Sequence, residues 1–282
     1  MTQVIDGKLI ASQIKEEVKR EVQILKEKGE TVTLAVVLVG EDPASKVYVN
    51  NKKKACEYVG IQSLSYELPP DTSESDLLEL IMKLNERKDV NGILVQLPLP
   101  KHINEDRVIK SINPQKDVDG FHPQNVGSLC IGDKGFISCT PAGIIQLLKR
   151  SSIQIEGKEC VVIGRSNIVG KPMAILLLRE NGTVTIAHSK TKDLKNVTKR
   201  ADILIVAIGK PMMITKEYVK EGAVVIDVGI HRMENNKLCG DVDYDDVAPI
   251  CSAITPVPGG VGPMTIAMLM NNCMESLRFQ IE

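Results

Sequence analysis

The feature that most constrains the fold is an alternation, repeated in both halves of the chain, of short apolar runs with amphipathic segments. The runs, rich in valine and isoleucine, are TLAVVLVG (33–40), NGILVQLPLP (91–100), ECVVIG (159–164), TVTIAH (183–188), ADILIVAIG (201–209) and GAVVIDVGI (222–230). Runs that are apolar at consecutive positions are typical of strands covered on both faces of a parallel sheet. We therefore predict an α/β protein with two open parallel-sheet domains, the second Rossmann-like.

The segments between these runs have the apolar spacing of helices, and SLSYEL (63–68) alternates weakly like a strand. Helices are predicted at 8–28, around Tyr48, at 73–87 behind a Ser73 cap, at 169–181 with Pro172 near its start, and at 264–279. The stretch 113–143 is rich in Pro, Gly and Asp and is interpreted as the crossing between two domains, 1–120 and 121–263. The loop 255–263 precedes the last helix, which is predicted to return to the first domain.

Composition excludes several classes of function. The 282 residues carry a net charge of −1 and only 3% aromatic side chains, which argues against a nucleic-acid binder. The seven cysteines are scattered, with no CxxC pair and no HExxH motif, so neither a disulfide framework nor a metal site is expected. No signal peptide and no apolar run of membrane-spanning length is evident, and a cytoplasmic location is expected.

The segment YVNNKKKAC (48–56) contains one lysine that differs from its two neighbours. On a helix Lys52 lies on the apolar face with Tyr48 and Cys56, whereas Lys53 and Lys54 lie on the polar face. Two interpretations stay open at this point. Lys52 either extends past its neighbours to water, or it is a partly buried amine beside a phenol, a pairing common in functional sites.

A glycine-containing turn follows the strand ECVVI. It reads Gly164-Arg-Ser-Asn-Ile-Val-Gly170 rather than GxGxxG, so alone it is a weak signal. At the start of a helix, however, backbone N–H groups and a partial positive charge favour a phosphate, and Arg165 and Ser166 add donors. The turn therefore predicts a dinucleotide site.

The end of the next strand indicates which dinucleotide is bound. An NAD site needs an acidic residue there, but the sequence from Ala187 to Lys192 contains none and offers His188, Ser189 and lysines instead. Such a site favours the 2′-phosphate of NADP. The alternative is that these are ordinary solvated turn residues.

A Tyr-x-x-x-Lys pair with a glycine turn is also the signature of short-chain dehydrogenases. In those enzymes the glycine turn comes first and the pair follows. Here Tyr48 and Lys52 precede Gly164 and belong to a different strand–helix unit, which argues against that class.

Seven stretches together resemble one family. They are ASKVYVNNKKKAC, GILVQLPLP, NPQKDVDGFHPQNVG, CTPAGI, GRSNIVGKP, AHSKT and TPVPGGVGPMT. They resemble the bifunctional methylenetetrahydrofolate dehydrogenase/methenyltetrahydrofolate cyclohydrolases of bacteria, the FolD family, in order and from the first helix to the last.

The resemblance implies two activities at one site. Methylenetetrahydrofolate gives a hydride to NADP and becomes methenyltetrahydrofolate, which water then converts to 10-formyltetrahydrofolate. It further implies two α/β domains flanking a cleft, a last helix (264–282) that packs on the first domain, folate substrates and a homodimer.

The resemblance also assigns site residues. It implies Lys52, Tyr48 and Gln96 as catalytic residues, Lys52 being the general acid/base. It implies Asp119 as the pterin ligand, with Tyr48 and the loop residues Pro258, Gly259 and Gly262 on the folate side. The cofactor contacts it implies are Gly164, Arg165, Ser166, Ser189 and Ile230.

Elementary chemistry is compatible with the role of Lys52. A general base must be neutral, partial burial disfavours the charged amine, and Gln96 can orient that amine without adding a charge. From the residues alone, Asp119 would be interpreted as a turn-capping Asp and Gln96 as a strand-end amide satisfying backbone.

Two departures from the family pattern concern loops. Ser138 stands where a proline often precedes Cys-Thr-Pro, and His231 stands where an asparagine usually follows Gly-Ile. Two further hypotheses remain: a dehydrogenase without useful cyclohydrolase activity, against which intact Tyr48, Lys52 and Gln96 argue, and a non-catalytic nucleotide sensor.

Overall fold

The structure is a computed structural model and describes residues 2–281. The chain divides into two compact units. The three-stranded unit comprises residues 13–139 and 266 onward, and the six-stranded unit comprises residues up to 12 together with 140–265. Among the described residues the division falls within the helices Gly7–Glu27 (α1), Cys139–Arg150 (α6) and Val261–Ile281 (α10).

The three-stranded unit is built on a parallel sheet. Its strands are Thr33–Val39 (β2), Gln62–Leu68 (β3) and Gly92–Val95 (β4), in the order β3-β2-β4. Its other helices are Pro43–Val59 (α2), Glu74–Glu86 (α3), Glu105–Ser111 (α4) and Pro123–Ile131 (α5). Every residue of β2 and β4 is buried, as the continuous apolar runs predict for strands covered on both faces.

The six-stranded unit has a doubly wound sheet. The strands Gln3–Val4 (β1), Glu159–Ile163 (β5), Thr183–Ala187 (β6), Ile203–Val206 (β7), Val224–Asp227 (β8) and Ala253–Ile254 (β11) pair in parallel in the order β1-β11-β8-β7-β5-β6. The helices Gly170–Arg179 (α7), Leu194–Thr198 (α8) and Tyr244–Val247 (α9) and the hairpin His231–Arg232 (β9) with Leu238–Cys239 (β10) complete the unit.

The strand order of the six-stranded unit sets the position of its cofactor edge. The order reverses at β5, whose neighbours are β6 on one side and β7 on the other. In open parallel sheets a ligand binds beyond the carboxyl ends of the strands at such a switch point. The prediction of an α/β protein with parallel sheets in two domains is confirmed.

Some elements differ from those predicted. The elements that were not predicted are the strands β1, β9, β10 and β11 and the helices α4, α5, α6 and α9, and α10 begins at Val261, inside the predicted loop 255–263. The predicted boundary at residue 120 lies within the three-stranded unit, which continues to Cys139. It continues because the Phe136 ring packs against Phe279, with ring centroids 5.2 Å apart. In residues 2–281 no helix is both long and apolar enough to cross a bilayer.

Candidate active site

Lys52 lies on the inward side of α2. Val49, Ala55, Cys56 and Val59 are the buried apolar residues of this helix, and Lys52 is half-buried among them whereas Lys53 and Lys54 are exposed. Asp42 caps the helix by accepting a 2.7 Å hydrogen bond from the Ser45 backbone N–H. The distinction between Lys52 and its two neighbours, predicted from helical spacing, is thus present in the structure.

Gln96 is the hydrogen-bond partner of Lys52. Lys52 Nζ donates a 2.9 Å bond to Oε1 of Gln96, which lies directly after β4. Nε2 of Gln96 donates in turn to the backbone oxygen of Leu97 at 2.6 Å, which fixes the orientation of the amide. The amine therefore faces a neutral acceptor.

Tyr48 lies one helical turn before Lys52, and its side chain is 42% exposed. Within residues 2–281 its hydroxyl makes no hydrogen bond, so both its donor and its acceptor capacity remain for a substrate or a water. Residues four positions apart share a helix face, so the phenol and the amine lie on the same side of α2.

Asp119 is a half-buried carboxylate in the loop after β4 and α4. Burial raises its pKa to about 6; the positive charge of Lys52 opposes this shift and the negative charge of Asp117 adds to it. No side chain or N–H of residues 2–281 donates a hydrogen bond to its carboxylate. Lys52 and Asp119 are thus close enough to influence each other, and the carboxylate can accept bonds from a ligand.

The backbone around Asp119 is held by the last helix. Nδ2 of Asn272 donates to the backbone oxygens of Val118 at 2.9 Å and Ile137 at 3.0 Å. Gly120 has φ +72°, and a Cβ there would lie 2.7 Å from the backbone nitrogen of Ser138. The buried Ser138, one of the two departures from the family pattern, therefore lies directly against the loop that presents Asp119.

Two buried residues on the N-terminal side also anchor this loop. Nζ of Lys116 donates to the backbone oxygens of Leu84, Asn85 and Arg87 at 2.7–3.2 Å, at the C-terminus of α3 where a cation is favourable. Oδ2 of Asp117 accepts from the His122 N–H at 2.7 Å and from Nδ2 of Asn125 at 2.8 Å. Burial raises the pKa of Asp117 as well.

The glycine turn of the six-stranded unit is as tight as a phosphate-binding turn requires. Gly164 follows β5 with φ +135°, and a Cβ there would lie 2.3 Å from the carbonyl oxygen of Ala207. A Cβ on Gly170, the first residue of α7, would lie 2.3 Å from the carbonyl oxygen of Gly164. A side chain at either position would prevent the close packing of the strand, the turn and the helix against one another. The two glycines therefore fit a dinucleotide site.

Ser166 caps the helix that follows this turn. Its Oγ accepts hydrogen bonds from the N–H groups of Val169 at 3.1 Å and Gly170 at 3.2 Å. The sequence interpretation placed free N–H groups here, but Ser166 already uses these two. The hydroxyl proton of Ser166, the exposed Arg165 and the helix dipole remain available to an anion.

The turn after β6 carries Ser189, which is exposed. Thr191 shapes this turn: its Oγ1 accepts from the His188 N–H at 2.9 Å, and its own N–H donates to the His188 oxygen at 2.8 Å. Gly164, Ser189 and Ile230 follow β5, β6 and β8, whose carboxyl ends meet at one edge of the parallel sheet. The predicted cofactor residues thus lie along one edge of the six-stranded unit.

The loop after β11 carries Pro258, Gly259 and Gly262. Gly259 is buried with φ +110°, and its oxygen accepts a 3.0 Å bond from the Lys8 N–H, while Pro258 and Gly262 are exposed. The loop therefore starts from the carboxyl edge of the same sheet and is fixed by the start of α1. In the described part of the chain no group of three or more His, Cys, Asp or Glu side chains is arranged to hold a metal ion.

Sequence reasoning missed the residues that hold the site loops, namely Asn272, Lys116, Asp117 and the buried pair Asp227 and Asp241. Their partners are distant in sequence, and an isolated Asn or Lys carries no local signal. The two short stretches DVDG (117–120) and GDVD (240–243) offered a hint, because each sets a carboxylate between apolar or glycine residues.

Comparison with known proteins identifies the family. The catalytic-domain model of the tetrahydrofolate dehydrogenase/cyclohydrolase family matches residues 5–119, and the NAD(P)-binding-domain model of that family matches residues 138–281. The bifunctional protein FolD of Lachnoclostridium phytofermentans is 73% identical over 282 residues, covering 100% of both chains.

Solved structures agree. The bifunctional FolD of Campylobacter jejuni is 52% identical with a TM-score of 0.97, and the match covers 99% of each chain. The Trypanosoma brucei methylenetetrahydrofolate dehydrogenase-cyclohydrolase, solved with NADP and an inhibitor, is 37% identical with a TM-score of 0.95 over 100% of this chain and 99% of that one.

Fold and site together define a two-unit α/β enzyme with a nicotinamide-dinucleotide edge on one sheet and a lysine–amide–carboxylate group on the other. The chain belongs to the tetrahydrofolate dehydrogenase/cyclohydrolase family, the bifunctional FolD enzymes. The predicted family membership and the predicted pair of activities are confirmed.

Proposed function

We propose that this enzyme oxidises 5,10-methylenetetrahydrofolate with NADP and then hydrolyses 5,10-methenyltetrahydrofolate to 10-formyltetrahydrofolate, with Lys52 as the general acid/base. The observation that carries the assignment is the 2.9 Å bond between Lys52 Nζ and Gln96 Oε1 on the inward face of α2. A half-buried amine that is oriented by a neutral amide and lies close enough to a carboxylate to interact with its charge is typical of a functional site and not of a solvated helix face.

In the hydrolytic step, Lys52 first accepts and then donates a proton. Water adds its oxygen to the methenyl carbon, and Lys52 takes the proton that this water loses. The ring then opens: the bond from the carbon to one ring nitrogen breaks, Lys52 returns its proton to that nitrogen, and the added hydroxyl loses its proton to solvent as the formyl C=O bond forms. The net reaction consumes the methenyl cation and one water and releases one proton, the second proton of that water.

Gln96 and Tyr48 support Lys52 in different ways. Gln96 orients the amine and, being neutral, does not favour the charged ammonium as a carboxylate would. The hydroxyl of Tyr48, on the same helix face and without a hydrogen bond to residues 2–281, can both donate and accept, so it can relay a proton between the substrate and the amine.

Asp119 binds the pterin. A pterin presents several N–H groups along one edge, and a carboxylate that accepts no bond from the described part of the chain can accept two of them. Asn272 and Lys116 hold the backbone on either side of Asp119. The loop residues Pro258, Gly259 and Gly262 belong to the folate side of the site.

The oxidative step asks little of protein acids or bases. Bound NADP supplies the hydride acceptor. The protein's part is to bind and align: Gly164 would give the tight turn, Arg165 and Ser166 would hold the phosphates, Ser189 would bind at the ribose side, and Ile230 would contact the nicotinamide side.

NADP is preferred over NAD because the turn from His188 to Lys192 lacks a carboxylate and presents Ser189 and Lys190. The NADP-bound Trypanosoma brucei structure supports this choice. We further propose a homodimer, as the family resemblance implies; light scattering on the purified enzyme would give its mass.

Turnover by the purified enzyme tests the function. With methylenetetrahydrofolate we expect NADP reduction and accumulation of 10-formyltetrahydrofolate, with kcat/KM higher for NADP than for NAD. Hydrolysis of methenyltetrahydrofolate without any dinucleotide isolates the second activity. Reduction without hydrolysis would favour the monofunctional dehydrogenase, and binding without turnover would favour a sensor.

A further inference from the structure

Asp241 is a completely buried carboxylate that ties together segments far apart in the chain. Its Oδ2 accepts from the N–H groups of Ile208 at 2.8 Å and Gly209 at 3.0 Å, and its Oδ1 accepts from the Lys210 N–H at 2.8 Å. Three consecutive backbone N–H groups thus converge on one carboxyl group, the arrangement of an anion-binding nest. Here the protein's own carboxylate fills it.

His231 supplies the fourth bond. Its Nε2 lies 2.8 Å from Asp241 Oδ1, and the side chain of His231 is 23% exposed whereas that of Asp241 is 0% exposed. With Oδ1 already accepting from Lys210, the geometry makes the imidazole N–H the donor. The bond therefore joins the segment after β8 to Asp241, which in turn accepts the bonds from the loop after β7.

Ile230 lies between two fixed points of this arrangement. On one side the Gly229 N–H donates 3.0 Å to Oδ1 of Asp227, and a Cβ on Gly229 would lie 2.5 Å from Cγ of Asp241. On the other side lies the His231 ring, which is bonded to Asp241. Asp227 in turn accepts from the N–H groups of Asp241 and Val242, so the two carboxylates hold one another's segments.

These loops lie where the cofactor is expected. The segments 207–210 and 228–231 follow β7 and β8, on the side of the switch point opposite to Ser189. The adenosine end of a dinucleotide lies at the β5–β6 side, so the nicotinamide end reaches β7 and β8. Ile230 itself is 48% exposed and therefore open to a ligand.

We propose that His231 is a positioning residue for hydride transfer, acting through Asp241 to fix Ile230 and the β7 loop against the nicotinamide. This inference rests on the proposed function and adds a residue to it. His231 does not touch the reacting atoms. Its contribution is the alignment of the surface on which the nicotinamide rests.

The two activities respond differently to such a residue. Hydride transfer depends steeply on the alignment of donor and acceptor, whereas hydrolysis without dinucleotide depends on Lys52, in the three-stranded unit. Loss of the His231 bond should therefore lower dehydrogenation and spare hydrolysis. A merely structural role would lower both in proportion.

The test compares three variants of the full-length enzyme. His231→Leu removes the donor, His231→Gln places an amide N–H the same number of bonds from Cα as Nε2, and Lys237→Gln alters an exposed residue of the same hairpin. We expect His231→Leu to lower the dehydrogenase kcat at saturating NADP by about 10-fold or more, with NADP-free hydrolysis changed by less than about 2-fold. His231→Gln should recover most of the loss, and Lys237→Gln should match the wild type.

Thermal unfolding accompanies each assay. Should His231→Leu fail to fold, His231→Ser removes the same donor without placing an apolar group at a partly exposed position and carries the same expectation. Equal loss of both activities, no loss of either, or a His231→Gln enzyme as impaired as His231→Leu would overturn the inference. A wild-type enzyme without dehydrogenase activity would instead overturn the proposed function.

Discussion

Lys52 and Gln96 are 44 residues apart in sequence and 2.9 Å apart at their polar atoms. Lys52 belongs to the helix α2 and Gln96 directly follows β4 of the three-stranded sheet, so the fold itself brings amine and amide together. The partner of the amine is uncharged. A carboxylate in that place would make an ion pair and favour the protonated amine, which cannot accept a proton from water.

Replacing Gln96 by glutamate therefore tests the importance of a neutral partner. We expect Gln96→Glu to lower the rate of methenyltetrahydrofolate hydrolysis at pH 7 by about 10-fold or more, because the ion pair favours the charged amine. Gln124→Glu, which changes the charge equally at an exposed position of the same unit, is the control. An unchanged hydrolysis rate in Gln96→Glu would show that the amide only supports the backbone.

Folate binding should weaken at acid pH because of Asp119. Its pKa is about 6, raised mainly by burial, so the carboxylate binds a proton as the pH falls through about 6 and loses the capacity to accept two pterin N–H bonds. We expect KM for methylenetetrahydrofolate to rise below that pH. Because the charge of Asp117 adds to the shift, Asp117→Asn should move this rise in KM to lower pH.

Asp117→Asn is a conservative change for this purpose. The His122 N–H and Nδ2 of Asn125 both donate to Oδ2 of Asp117, and an asparagine carbonyl can accept both of these bonds. A rise in KM that stays in place in Asp117→Asn, or moves to higher pH, would contradict the electrostatic coupling between the two carboxyl groups. Initial rates across pH 5–8 at several folate concentrations give KM and kcat separately.

A substitution of Gly164 should impair cofactor binding alone. At φ +135° with a would-be Cβ 2.3 Å from the Ala207 oxygen, alanine must displace the turn from the β7 loop. We expect Gly164→Ala to weaken NADP binding by about 10-fold or more, measured by fluorescence titration. Hydrolysis without dinucleotide should persist.

Gly157→Ala is the matched control for that substitution. Gly157 also has positive φ, +72°, but nothing lies within 4 Å of a Cβ there. The Gly157→Ala variant therefore has the strain of an alanine at positive φ, about 1 kcal/mol, but no steric clash of its Cβ. Equal NADP affinities for the two variants would show that the close approach at Gly164 has no part in binding.

Asn272 predicts a link between the last helix and folate affinity. Asn272→Leu removes the bonds to the Val118 and Ile137 oxygens, which leaves the Val118 oxygen with the weak thiol donor of Cys139, at a cost of about 1–3 kcal/mol. We expect a lower free energy of unfolding and a higher KM for folate. Asn271→Leu, at the neighbouring half-buried position, is the control and should show neither effect. A normal folate KM in Asn272→Leu would show that the bonds of Asn272 do not contribute to folate binding.

The strands and the special position of Lys52 could be predicted because each is recorded in a local pattern. Continuous apolar runs locate β2, β4, β5, β7 and β8 within a few residues. Helical spacing alone separates Lys52 from Lys53 and Lys54. The catalytic roles, in contrast, came from the resemblance to a family and not from spacing.

Other features could not be read locally. The strands β1 and β11 are two residues each, too short for any periodicity, and they exist because they pair across 250 positions, Gln3 with Ala253. The bonds from Asn272 to Val118 and from Asp241 to the β7 loop likewise join distant segments. Such contacts depend on the assembled fold, and the local sequence does not identify the partners of these side chains.

Lys52 provides the most direct test of the central claim, that one half-buried amine drives the hydrolytic activity. The measurement is the rate of methenyltetrahydrofolate hydrolysis, followed by absorbance, for Lys52→Met beside Lys53→Met on the exposed face of the same helix. We expect Lys52→Met to lose about 100-fold or more while its melting temperature and NADP affinity stay near wild type, and Lys53→Met to retain full activity. Hydrolysis by Lys52→Met at a rate comparable to Lys53→Met would contradict the claim and leave Lys52 a helix-surface lysine.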